Sequence, residues 1–208
     1  GEGTPSLDHI MDVMDDLATH PATGRHLARK LAIHFVSDDP DPELVEALEQ
    51  QFAATSGDLL AVYEVLLTHP KSWSPEARNV KQPIDFVGST LRALDLVPRH
   101  IPDDFRKLRR HVLGPMTLMG QSWGVPLGPD GWPEADAAWI TPQRMAARLQ
   151  WGMTIPFLLK RLLPDPREFV EIALGDTAPE PVRFAAAAAE TRAEGVGIVL
   201  ASPAFHRM

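Results

Sequence analysis

Apolar residues recur at intervals of three and four along most of this chain, the period of helices that bury one face. Leu7, Ile10, Met11, Met14 and Leu17 form one stripe behind Ser6, a capping residue. His20-Pro21 separates that stripe from a second, with Leu27, Ala28, Leu31, Ala32 and Phe35. Asp41-Pro42 opens a third helix over 43–54, with Leu44, Val45, Leu48 and Phe52 facing inward. Asp58 caps a fourth over 59–68, burying Leu59, Val62, Tyr63, Leu66 and Leu67. Further helices are expected over 83–94, 102–112, 142–152, 157–163, 166–174, 181–192 and 193–201. Asp41-Pro42 and Thr141-Pro142 each pair a cap with a proline at the first helical position, where the missing N–H costs nothing. Residues 116–119 and 195–200 are short enough to be helix or strand, and a hairpin near 116–123 is the only sheet the pattern leaves room for. The expected fold is mainly α, an irregular multi-helix array with a long Trp/Gly/Pro-rich loop and little or no β-sheet. Residues 1–208 are expected to form a single helical domain.

That loop is residues 114–140, with five glycines, four prolines and three tryptophans. Loops of this length are often functional. Trp123, Trp132 and Trp139 either pin it to the core or line a binding groove, with Asp130, Glu134 and Asp136 as acid or base groups beside them. Trp132 lies between Gly131, which permits a positive φ, and Pro133, which favours an extended Trp132. It is expected to be the anchor, buried against the helix opened by Thr141-Pro142 near Met145 or Leu149.

Composition narrows the chemistry. The chain has 208 residues, with 20 Lys+Arg and 28 Asp+Glu, a net charge of −8. The absence of cysteine excludes disulfides, thiolate metal sites and thiol nucleophiles. Residues 1–70 carry 3 basic and 13 acidic side chains, a net of −10, which disfavours contact with a phosphate backbone there. The basic stripe Arg106, Arg109 and Arg110 reads as a solvated helix face, and no nucleic-acid partner is expected. No apolar run is long enough to span a bilayer. The first residues, Gly1 to Pro5, lack the basic region and apolar stretch of a signal peptide.

Three motifs bear on catalysis or metal binding. Gly120-Gln121-Ser122-Trp123-Gly124 has the spacing of a nucleophile elbow, but Val125-Pro126 cannot open the helix such an elbow needs. The only histidine after Ser122 is His206. His26 and His34 are too far apart along a helix to share a metal, and His20 and His69 are expected to bond the last carbonyls of the helices they follow. Asp38, Asp39, Asp41 and Glu43 lack the glycine and the distant glutamate of a calcium loop. No metal or cofactor is expected.

Several segments in order resemble domain-of-unknown-function family 1800. They are Leu17–Val36, Gly57-Asp58-Leu59 leading to Leu67 and Trp73, Lys81–Val87, Gly131-Trp132-Pro133, Trp139-Ile140-Thr141-Pro142 and Leu200–Phe205. Members are bacterial and longer than this chain. The resemblance implies that residues 1–208 are a C-terminal half whose N-terminal half is the first partner. It also implies export and a sulfatase-like partner protein, and it supplies no activity. The expectation is a non-catalytic helical module that docks its N-terminal half or another protein, or associates with itself through exposed apolar surface. The alternative is an exported hydrolase with its site at 114–140.

Overall fold

The structure is a computed structural model that describes residues 7–73, 79–101 and 103–208. The expected cap at Ser6 and helix start at Pro102 lie outside the described residues. The fold is mainly α, and its only β pairings among the described residues are isolated bridges between Val80 and Arg207 and between Gly128 and Gly131. Within the chain the contacts gather in two compact units, one ending at Asn79 and one beginning at Val80. The division follows the apolar side chains, which gather in two separate clusters.

The first unit contains α1 (Leu7–Thr19), α2 (Pro21–Phe35), α3 (Pro42–Ala54) and α4 (Leu59–Thr68). Helices α2, α3 and α4 bury Ala28, Ala32, Leu44, Leu48, Phe52, Val62 and Leu66 against one another. Their starts follow the local chemistry. Asp41 accepts from the Glu43 N–H at 2.9 Å, and Asp58 from the Leu60 N–H at 2.9 Å. Each satisfies a backbone donor that the helix leaves without a partner. His20 and His69 correct one expectation. Their Nδ1 atoms accept from the N–H groups of Ala22 and Lys71, so each imidazole caps the element that follows, not the helix before it.

The second unit contains α5 (Pro83–Ala93), α6 (Phe105–Leu108), α7 (Gly114–Leu118), α8 (Pro142–Leu159), α9 (Pro166–Leu174), α10 (Glu180–Ala188) and α11 (Arg192–Ala201). A π-helical turn, Arg109–Leu113, joins α6 to α7. The segment expected as a hairpin or loop from 114 onward therefore begins as helix, with Met116 buried beneath it. Arg106, Arg109 and Arg110 lie exposed along this run.

Helix α8 is the largest departure from the apolar pattern. The two helices expected over 142–152 and 157–163 form one, with Pro156 inside it. A proline there removes a hydrogen bond to the carbonyl four residues back. Packing outweighs that loss: Trp151, Gly152, Ile155 and Pro156 are all buried. Gly152 admits Leu200 of α11 so closely that an added Cβ would stand 3.4 Å from the Leu200 Cβ. The core around this contact holds Phe86, Val87, Met116, Phe169, Val199 and Phe205.

Candidate functional site

The three loop tryptophans differ in burial. Trp139 is 1% exposed, Trp132 is half-buried and Trp123 is 62% exposed. No ring contact joins them among the described residues. The fully buried tryptophan of the loop is thus Trp139, in place of the expected Trp132. A 3-10 turn, Asp136–Ala138, delivers Trp139 to the interior immediately before α8. Arg144 of α8 then closes over it: its guanidinium lies 6.0 Å from the Trp139 ring and donates to the Ala138 carbonyl. Gly120, at φ +104°, gives that guanidinium room, since a Cβ there would come within 2.5 Å of Nε. Ser122 is tied to Thr117 by a 3.3 Å hydroxyl contact, and Gly124 after it is at φ +67° with no helix following.

The loop carboxylates are also dispersed in their burial. Asp130 is exposed, whereas Glu134 and Asp136 are half-buried. Asp136 accepts from the Val80 N–H at 2.8 Å, a structural bond to backbone. Gln121 belongs to no sequence motif beyond the failed elbow, yet its side chain is held at both ends. It is 4% exposed, its Oε1 accepts from the Ile84 N–H at 2.8 Å, and its Nε2 donates to Gln82 Oε1 at 3.0 Å. It therefore caps α5 from a distance, because Gln82 at the cap position makes no such bond itself.

The first unit presents a different surface. Phe35, Val36, Tyr63, Leu66, Leu67 and Trp73 line an open groove of about 380 Å³. Leu67 is 61% exposed, and Trp73 is held at its edge by a 2.8 Å bond from its indole N–H to the Leu67 carbonyl. In the same unit, α1 buries no residue at all. Its apolar residues Leu7, Ile10, Met11, Val13, Met14 and Leu17 are each more than half exposed. Apolar spacing located this stripe, but spacing alone cannot say whether anything covers it.

Among the described residues no group of His, Asp or Glu is arranged to hold a metal ion, and no helix is long and apolar enough to cross a membrane. These features define an all-helical protein in which apolar side chains of α1 and of the groove stay uncovered among the described residues. A family model described as "Protein of unknown function (DUF1800)" matches residues 3–207, and the chain belongs to that family. No curated protein and no solved structure matches it.

Proposed function

We propose that this chain is a non-catalytic binding or scaffolding module whose first unit docks an amphipathic helical segment of another polypeptide. The observation that carries the reading is α1. A surface helix normally turns its apolar stripe toward a core. Here the stripe exists and nothing in the described chain covers it. Contiguous exposed apolar surface of this kind marks interaction sites. The groove walled by Leu67 and Trp73 lies in the same unit and is of similar character. The net −10 carried by residues 1–70 adds that the docked segment is basic on its polar side. The N-terminal half implied by the family resemblance is the first occupant to try, and the implied sulfatase-like protein the second. The unequal burial of the loop tryptophans and carboxylates gives a hydrolase site at 114–140 no comparable support.

Size-exclusion chromatography with light scattering tests this, on the chain alone and mixed with each partner produced separately. The expected result is a complex that Leu67→Asp or the double change Met11→Ser/Met14→Ser dissolves, with the helical circular-dichroism signal unchanged. A monomer under every condition, with no binding of an apolar dye, overturns the reading.

A further inference from the structure

The second unit buries positive charge that its own hydrogen bonds do not satisfy. Arg148, in the middle of α8, is 0% exposed, and among the described residues no atom accepts from its Nε, Nη1 or Nη2. His206 is 4% exposed, and neither ring nitrogen has a hydrogen-bond partner among the described residues. Phe86 joins the two: the imidazole stacks on its ring at 4.7 Å, and the guanidinium carbon lies 5.6 Å from the same ring centre. Lys81 adds a third nitrogen. Its Nζ donates to the Phe205 carbonyl at 2.8 Å and sits 4.2 Å from the Phe205 ring centre.

A guanidinium shut away from water without acceptors is strongly unfavourable. Burial pulls Arg148 down to about 10, so it keeps its charge at neutral pH, and Lys81 is pulled down in the same way. Asp85 is the carboxylate whose field favours both cations, yet it makes no ion pair within 4.0 Å with either among the described residues. Burial and the neighbouring Arg148 and Lys81 push His206 down to about 4, so its ring is neutral at pH 7 and offers one donor and one acceptor. The combination is a planar guanidinium fork, a point charge and a neutral imidazole. That donor set matches an oxygen anion, because a guanidinium binds two oxygens side by side and the imidazole can meet a third oxygen or its proton.

We propose that Arg148, with Lys81 and His206, forms a buried binding site for a small oxyanion, a carboxylate or a phosphate, entered from the side of the half-buried Lys81 and Asp85. The site lies wholly in the second unit and is independent of the apolar groove. Arg148 holds two oxygens of the anion, Lys81 supplies the second charge from the solvent side, and His206 bonds the anion's far side. Asp85 is the internal counter-charge that the anion supplements.

The probes are sodium phosphate and sodium acetate, each compared with sodium chloride at equal ionic strength. Thermal unfolding and the side-chain Nε–H NMR signal of Arg148 are followed in the full chain. Phosphate also stabilises folded proteins by exclusion from their surface, so saturation and dependence on the site are the criteria. The expected result is a saturable rise in Tm with one of the two anions, together with a selective shift of the Arg148 signal. Which anion saturates assigns the class. Arg148→Gln should weaken binding about tenfold or more, the scale of one charge-assisted hydrogen bond, and Lys81→Gln severalfold. If Arg148→Gln does not fold, Lys81→Gln and the wild-type Nε–H shift decide. Responses no larger than those to chloride, or variants that titrate like the wild type, overturn the proposal.

Discussion

The imidazole of His206 lies flat on the ring of Phe86, with centroids 4.7 Å apart and planes inclined by 11°. That contact places a titratable ring in the core, beside Arg148 on α8 and Lys81 just before α5. Burial first, and the two cations second, lower its pKa from 6.5 to about 4. The unfolded chain therefore takes up a proton near 6.5 that the folded chain refuses until about 4. The stability linked to His206 is complete above pH 6.5, is lost as the pH falls toward 4, and changes no further below that. The full difference is roughly 3 kcal/mol, since each tenfold change in proton affinity between the folded and unfolded chains is worth about 1.4 kcal/mol. Urea unfolding on either side of this window, near neutrality and in mild acid, measures most of it. His206→Gln should flatten the difference, and an equal loss in wild type and variant would falsify the assignment.

The loop tryptophans should respond in the order of their burial. Trp139→Ala empties a fully buried site under Arg144 and should cost about 3–5 kcal/mol. Trp123→Ala removes a side chain that is 62% exposed and should change stability by no more than about 0.5 kcal/mol. Trp132, half-buried, should fall between them. The readout is the unfolding transition of the second unit, since two compact units need not unfold together. A Trp132 effect as large as that of Trp139 would restore Trp132 as the anchor.

Gly195 is required by close approach. A Cβ on it would stand 2.4 Å from Pro166 Cγ, 2.5 Å from Pro166 Cβ and 3.0 Å from the Ala186 carbonyl oxygen. A proline ring and a backbone carbonyl yield little. Gly195→Ala should therefore destabilise by about 1–3 kcal/mol through overpacking, although alanine favours a helix interior by about 1 kcal/mol over glycine. Thermal unfolding reads the sign directly, and a stabilised variant would mean that α9, α10 and α11 are packed less tightly than the structure has them.

Asp58 tests the capping assignment in the first unit. Asp58→Ala removes the acceptor for the Leu60 N–H and should cost about 1 kcal/mol, whereas Asp58→Asn should retain most of it. Equal losses in the two variants, measured by urea unfolding, would show that the side chain acts through its charge and not as a cap.

Residues close in sequence determined the helices of this protein. Asp41, Asp58 and Thr141 act on N–H groups two or three residues ahead, and apolar stripes such as Leu44, Leu48 and Phe52 repeat at helical spacing. Interactions of that range can be read from one strand of text. The same locality located the stripe of α1 and the tryptophans of the loop, hence the material of the candidate sites. Tertiary structure alone decided their fate. Whether α1 is covered, and which tryptophan is buried, depend on surfaces brought in from elsewhere in the chain. Pro156 stays inside α8 because burial of Trp151, Gly152 and Ile155 outweighs one lost backbone bond. Lys81, Arg148 and His206 belong to three separate segments, and no spacing rule joins them. His206 and Arg148 share the ring of Phe86, and Lys81 lies over neighbouring Phe205, because α8 and the segments just before α5 and just after α11 pack together, and their chemistry exists only once that packing has excluded water.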